Sequence, residues 1–303
     1  MNIKFVFFGT DDFSVIVLEQ LKKAGFPPAL IVTVPDHPKG RGLLLTPPPA
    51  KLWALRQGIP ILQPETLDSA FNLQLTTYNL QLGVVASYGL IIPKSILIIP
   101  KHGTLNVHPS LLPKYRGATP IESQILSDEK EVGVTIMLMD EKVDHGPLLR
   151  QRKFPISNFP ACQSAGRQFP DDTQDSKMPN TPKLRKMLAE KGGKLLAEAM
   201  PKWVAGEIEA KPQDDSQATY TKKFTKAEGE IDLNDDSYKN FLKIRAFDSP
   251  YFFAEVGADQ RGKKRMRVIV KDAKFENEKL LITRVIPEGK KEMSYEEFLR
   301  GYK

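Results

Sequence analysis

Through the first two hundred residues, short apolar runs alternate with amphipathic stretches, and this alternation limits the possible fold more than any other feature. Residues 3–8 read as a buried strand, residues 13–24 carry helical spacing at Val17, Leu18 and Leu21, and residues 30–34 form the next strand. A second series follows at 83–86, 104–107, a helix after Gly117, and 132–139. Repeated switching between strand and helix periods predicts an α/β, Rossmann-like domain. Its sheet is parallel or mostly parallel, covered on both faces, with the site outside the carboxyl ends of the strands. An amphipathic helix over 183–200, apolar at Leu184, Met187, Leu188, Leu195 and Leu196, closes this domain near residue 200. Residues 201–219 are polar and Pro-containing and read as a linker. A helix over 238–247 and strands at 252–256, 266–270 and 280–286 then predict a small OB-like β-barrel over 220–303, any small α+β module being the plainer alternative.

The strand at 104–107 runs into Asn106, His108, Pro109, Ser110, Leu111, Leu112 and Pro113. On an extended segment a spacing of two puts Asn106 and His108 on one face. An amide and an imidazole projecting together can hold a developing oxyanion, and the imidazole can also move a proton. An isolated Asn-x-His near a turn more often only satisfies backbone groups. Here a second strand, 133–139, leads to Asp144 and a Gly146-Pro147 turn, so a carboxylate at the mouth of a neighbouring strand can sit beside the imidazole. Asn106, His108 and Asp144 are the candidate catalytic groups. The first loop, Gly9-Thr10-Asp11, lacks the full dinucleotide fingerprint, and nothing resembles a Walker loop.

These residues resemble the folate-dependent formyltransferases. The shared signature is the Asn106, His108 and Asp144 constellation, the turn Ser110-Leu111-Leu112-Pro113, and the Asp-x-Gly after a Gly-Val-Thr strand. Within the family the chain is most similar to the branch acting on methionyl-tRNA, through segments at 7–14, 35–42, 88–93, 220–223 and 293–301. The resemblance implies that 10-formyltetrahydrofolate, as co-substrate, gives its formyl group to the amine of initiator methionyl-tRNA through a tetrahedral intermediate. It implies that Ser110, Leu111, Leu112 and Pro113 line the folate pocket, with Tyr88, Gly89 and Leu90 as a further wall. Plain core packing is an equally good reading of Leu111 and Leu112. The long loop at 35–49 would enter the acceptor stem, making Lys39 and Arg41 phosphate contacts, with incidental surface charge as the alternative. Three departures from the family stand out: a longer polar segment at 159–182, His145 where a small Thr is common, and Ser249-Pro250-Tyr251 in place of a Trp-Pro-Gly-like segment.

Composition fits this picture. The formal charge of +7 favours polyanionic partners, and the basic residues gather in patches, one holding Arg261, Lys263, Lys264, Arg265 and Arg267 and another Lys222, Lys223 and Lys226. Of these, Lys263, Lys264 and Arg265 join Lys39 and Arg41 as tRNA-binding candidates. A single cysteine, Cys162, and four histidines without ligand spacing predict no metal. No signal peptide and no long apolar run is legible, so a cytoplasmic monomer with no membrane partner is expected. A sugar-nucleotide N-formyltransferase with the same folate site, and a noncatalytic RNA-binding protein, are the competing readings.

Overall fold

The structure, a computed structural model, describes residues 3–39, 43–156, 178–259 and 262–301. Strand β1 (Phe5–Gly9) is buried at every position, as expected where both sheet faces are covered. It leads through Asp11 into α1 (Asp12–Lys23), which buries Phe13, Val17, Leu18 and Leu21. Strand β2 (Leu30–Val32) follows, then a short ribbon of β3 (His37–Lys39) and β4 (Leu44–Thr46), α2 (Pro49–Gln57), β5 (Ile61–Leu62) and α3 (Ser69–Thr76). The second series is β6 (Leu82–Ala86), α4 (Lys94–Leu97), β7 (Thr104–His108), β8 (Arg116–Gly117), α5 (Pro120–Leu126), β9 (Glu131–Leu138), β10 (Leu148–Pro155) and α6 (Thr181–Val204).

Seven strands form one sheet in the order β10-β9-β7-β6-β1-β2-β5. From β7 through β5 neighbours run parallel, whereas β9 is antiparallel to β7, with Leu105 opposite Leu138 and His108 opposite Thr135. On one face Val6, Phe8, Leu30 and Val32 pack with Phe71, Leu75, Ile96 and Leu97. Helix α6 lies close against β-strand side chains through Gly192, where a Cβ would come 2.6 Å from Val107 Cγ1. The next residue, Gly193, meets α1 in the same way, its Cβ falling 2.7 Å from that of Gln20. A larger residue at either position would push the layers apart.

Strand order reverses between β1 and β6, and there an open α/β sheet usually holds its ligand. In this chain the position is filled from within. The Asp11 carboxylate accepts the amides of Phe13 at 3.0 Å and Ser14 at 3.3 Å, capping α1, and accepts the Ser87 hydroxyl at 2.7 Å. Arg185 pairs with the same carboxylate and stacks over the Phe13 ring.

Two sequence expectations change. The stretch 35–49 is not a plain loop, since its described part holds the β3–β4 ribbon, with His37 opposite Thr46 and Lys39 opposite Leu44. Its prolines read as loop punctuation, yet a two-stranded ribbon has outer edges that tolerate a residue without an N–H. Helix α6 continues past Pro201 to Val204 and is closed by Gly206 at φ 74°, whose N–H donates to Trp203 O.

The chain forms two compact units. The first gathers Met1–Gly117, Gly133–Lys153 and Arg185–Thr221, and includes β11 (Tyr220–Thr221), which pairs parallel to β8. The second gathers Ala118–Val132, Phe154–Leu184 and Lys222–Lys303. It holds α7 (Ser237–Ala246), β12 (Tyr251–Asp259), β13 (Gly262–Glu276), β14 (Lys279–Pro287), β15 (Met293–Ser294) and α8 (Tyr295–Gly301). The four strands form a separate antiparallel sheet, the small β domain expected at the C-terminal end. Val268, Val270, Val285, Phe252 and Phe298 form its core.

Candidate active site

Asn106 and His108 emerge from the same face of β7 and are both buried, at 9% and 4% exposure. Asp144 reaches them. Its Oδ1 accepts from Asn106 Nδ2 at 3.3 Å and lies 3.5 Å from His108 Nδ1, while its Oδ2 accepts the Gly117 amide at 2.8 Å. The other imidazole nitrogen, Nε2, faces the Tyr115 carbonyl at 3.0 Å. Both ring nitrogens thus point at acceptors, and Nδ1 is the one turned toward the Asp144 carboxylate.

Asp144 arrives by a different route from the one its sequence position predicts. It was expected at a strand mouth like the other two, but β9 runs antiparallel to β7, so the carboxyl end of β9 lies beside Leu105. The 139–147 loop folds back to bring the carboxylate to Asn106. Its base is pinched where Leu138 N donates to Pro147 O at 2.9 Å, and Gly146 packs so closely that a Cβ would overlap the Leu138 carbonyl. Asp144 itself has φ 47°, in the left-handed region that L residues enter at a cost.

The Ser-Leu-Leu-Pro turn is fixed from beneath. Thr135 Oγ1 donates to Ser110 O at 2.6 Å and accepts from Leu112 N at 3.2 Å, and Gln151 Nε2 donates to Leu112 O at 2.7 Å. The Ser110 hydroxyl is turned inward to Lys114 O, and Leu112 is buried, whereas Leu111 and Pro113 are half-buried. In the other candidate wall, the Tyr88 ring is buried edge-on against Phe8. Burial pushes its phenol up to about 12. Gly89, Leu90 and Ile91 are exposed, and an ion pair between Lys94 and Glu141 at 3.5 Å joins this part of the chain to the 139–147 loop.

A buried arginine backs the site. Arg116 is fully buried; Gln213 Oε1 accepts from its Nε at 3.1 Å and its Nη2 at 2.8 Å, Asp215 from Nη2 at 2.7 Å, and Tyr220 Oη from Nη1 at 3.0 Å. Burial works against its charge, but the bonds to Asp215 and Tyr220 outweigh this and raise its pKa above the ordinary arginine value. Asp215 is held below the usual carboxylate range by the same arginine. His145 sits between Asp140, at 2.6 Å from Nδ1, and Asp215, at 3.4 Å from Nε2, so its nitrogens are committed there rather than to the trio. Gln213 and Asp215 fall in the segment read from sequence as a linker. Nothing in that polar stretch marks them.

The remaining candidates lie apart from the trio in the chain. Lys39 ends β3, and Arg41 lies outside the described residues, as do Arg261 and most of the segment 159–182. Lys263 and Lys264 are in β13, opposite Ala258 and Val256. Arg265 stacks over Phe253, 4.0 Å from its centroid, and pairs with Glu230 at 3.5 Å; Arg267 stacks over Tyr251 at 3.8 Å. A cavity of about 540 Å³ in the second unit is lined by Phe252, Phe253, Tyr295 and Phe298 with Glu230 and Asp232. It lacks the convergent donor, acid and base that the trio supplies, so the chemistry is assigned to the first unit. Among the described residues, no group of three or more His, Cys, Asp or Glu side chains is arranged to hold a metal, and no helix is long and apolar enough to cross a membrane.

A mostly parallel sheet presenting an amide, an imidazole and a carboxylate beside a locked Ser-Leu-Leu-Pro turn fits a formyl-group transferase, and the formyl transferase family model matches residues 1–170. The methionyl-tRNA formyltransferase of Halalkalibacterium halodurans is 38% identical over 320 residues, 99% of this chain and 95% of its own length. The chain belongs to this family, the methionyl-tRNA formyltransferases. Among solved structures, the methionyl-tRNA formyltransferase from Clostridium thermocellum shares the fold with a TM-score of 0.56 at 14% identity, over 94% of this chain and 98% of that one. The Helicobacter canadensis N-formyltransferase, in complex with folinic acid and dTDP-3-aminofucose, has a TM-score of 0.55 at 18% identity, over 88% and 95%.

Proposed function

We propose that this chain transfers the formyl group of 10-formyltetrahydrofolate to the amino group of initiator methionyl-tRNA, in cytoplasmic translation initiation. The observation that carries this reading is the convergence of Asn106, at 3.3 Å, and His108, at 3.5 Å, on the Asp144 carboxylate. The folate supplies an activated formyl carbon. Nδ2 of Asn106 and Nδ1 of His108 hold the carbonyl oxygen as it takes up negative charge, a role worth about 3 to 4 kcal/mol per donor in comparable sites. Nε2 of His108 stays anchored on Tyr115, so the ring keeps its orientation. Asp144 orients the imidazole and takes the amine proton, directly or through one water, as the new C–N bond forms, and that proton is passed to the folate nitrogen as its bond to the formyl carbon breaks.

The folate reading is supported by the loops that surround the trio. Ile91 at 85% exposure, Leu90 at 45% and Val143 at 58% offer solvent-facing apolar walls suited to a flat ring. Ser110 and Leu112 shape the turn from inside, and Leu111, Pro113 and the 88–90 backbone are its outward surfaces. For the nucleic acid, Lys39, Arg41, Lys263, Lys264 and Arg265 are the assigned phosphate contacts, with a catalytic domain over 1–200 and a tRNA-binding domain over 220–303; the intervening residues 201–219, read from sequence as a linker, belong to the first compact unit. The chain acts as a monomer.

The test is turnover of 10-formyltetrahydrofolate with two amines, methionyl-tRNA and an aminosugar nucleotide. Formylation of methionyl-tRNA at a kcat/KM at least about a hundredfold higher is expected. A preference for the sugar nucleotide would transfer the site to the other branch of the fold, and turnover of neither would leave the trio without a function.

A further inference from the structure

We propose that Gln213 is a positioning residue for formyl transfer: its amide fastens the Asp144–Gly146 backbone to the buried Arg116 guanidinium and so holds the Asp144 carboxylate in place. This rests on the catalytic reading of Asp144 given above. Nε2 of Gln213 donates to Asp144 O at 2.9 Å and to Gly146 O at 2.7 Å, which uses both of its hydrogens. Its Oε1 accepts twice from Arg116, at 3.1 and 2.8 Å. Every hydrogen-bonding position facing the loop and the arginine is therefore filled. The orientation of the amide is fixed as well. Arg116 can only donate, so the oxygen must face it and the NH2 group must face the two carbonyls.

The loop needs such a hold. Asp144 is in a left-handed conformation, which persists only where its surroundings impose it, and Gln213 grips the carbonyl of that same residue. On its other side the carboxylate has one backbone donor, the Gly117 amide, and Gly117 directly follows Arg116. Arg116 thus secures both approaches to Asp144, one through the next peptide and one through Gln213. Asp215 and Tyr220 fix the arginine in turn. Cutting the Gln213 link leaves Asp144 present but free to swing away from His108 and Asn106.

Two substitutions separate this role from simple satisfaction of a buried arginine. Gln213→Met keeps the length and removes all four bonds; Gln213→Glu keeps the oxygens facing Arg116 but sets an acceptor against the two carbonyls. If Gln213 works through the loop, both variants lose kcat by about 10- to 100-fold, with KM for folate and for methionyl-tRNA within about twofold. Both also shift the acid limb of the kcat–pH profile. In an Asp144→Asn background, Gln213→Met should cost less than about threefold more, because the two act as one unit. Thermal melts of the full chain report whether each variant folds.

Near-parental kcat in Gln213→Glu, with loss in Gln213→Met, would overturn the proposal by showing that only Arg116 needs the side chain. Equal losses in the parent and Asp144→Asn backgrounds would do the same. Loss in Asp144→Asn with near-parental kcat in both Gln213 variants removes the clamp and leaves the catalytic reading standing. Near-parental kcat in Asp144→Asn removes both.

Discussion

Replacing Asp144 by Asn removes one charge while keeping the size of the side chain, and the structure allows its cost to be worked out. The carboxylate accepts from the Gly117 amide at 2.8 Å and from Asn106 at 3.3 Å, and faces His108 Nδ1 at 3.5 Å. An asparagine can still satisfy Gly117 with its oxygen. Its NH2 group then faces the Asn106 Nδ2 group, itself a donor, and the negative charge beside the imidazole is gone. Losing a charge-assisted contact costs about 1.5 to 3 kcal/mol, and leaving a buried donor without a partner costs about 1 to 3 more. The sum, about 2.5 to 6 kcal/mol, corresponds to roughly 10²- to 10⁴-fold in the rate of the chemical step. The assay is single-turnover formylation with saturating folate and methionyl-tRNA, alongside a thermal melt. A chain that still folds, with a lowered Tm, and a chemical step slowed by at least about a hundredfold is the expected outcome. A kcat within about tenfold of the parent would refute the role given to Asp144.

Tyr88 predicts an alkaline weakness. Its pKa is raised from 10.0 to about 12, so the fold favours the protonated phenol; that contribution is fully present below pH 10 and is lost as pH rises toward 12. The loss amounts to about 2 to 3 kcal/mol. In Tyr88→Phe, chemical denaturation at pH 11 should lack this decline, and stability at neutral pH should hold, because the buried hydroxyl has no hydrogen-bond partner among the described residues. Gly192→Ala should cost about 1 to 3 kcal/mol and lower Tm, since its methyl group meets Val107 and Val134; an unchanged Tm would mean that α6 can shift outward freely. Arg41→Ala should weaken methionyl-tRNA binding and flatten its salt slope by about one, leaving folate affinity unchanged; a titration series in salt measures both, and an unaltered slope removes Arg41 from the phosphate contacts.

The sheet and two of the three central side chains were legible because their signals are local. Apolar runs at 3–8, 83–86 and 104–107 read as buried strands from their composition alone, and the spacing of Asn106 and His108 fixes their common face. The direction of β9 was not legible. Val132 to Leu138 would read the same in either orientation, so the folded-back loop that delivers Asp144 could not be foreseen. Gln213 was hidden for a different reason: a polar residue between a proline and two aspartates looks like solvated chain, and only tertiary placement turns it toward Arg116. The β3–β4 ribbon escaped because its prolines and glycines outweigh three-residue strands in any pattern. Likewise, the arginines at 265 and 267 read as open charge, whereas the structure lays each over an aromatic ring.

The Asp11 carboxylate at the head of α1 bears on which molecules can lodge in this protein. Cells are crowded with nucleotides, and a doubly wound sheet ordinarily offers their phosphates a cradle of amides at that spot. Here a newcomer meets a resident anion, with Arg185 already engaged and Ser87 already donating. A phosphate approaching that spot would meet the Asp11 carboxylate in place of free helix amides.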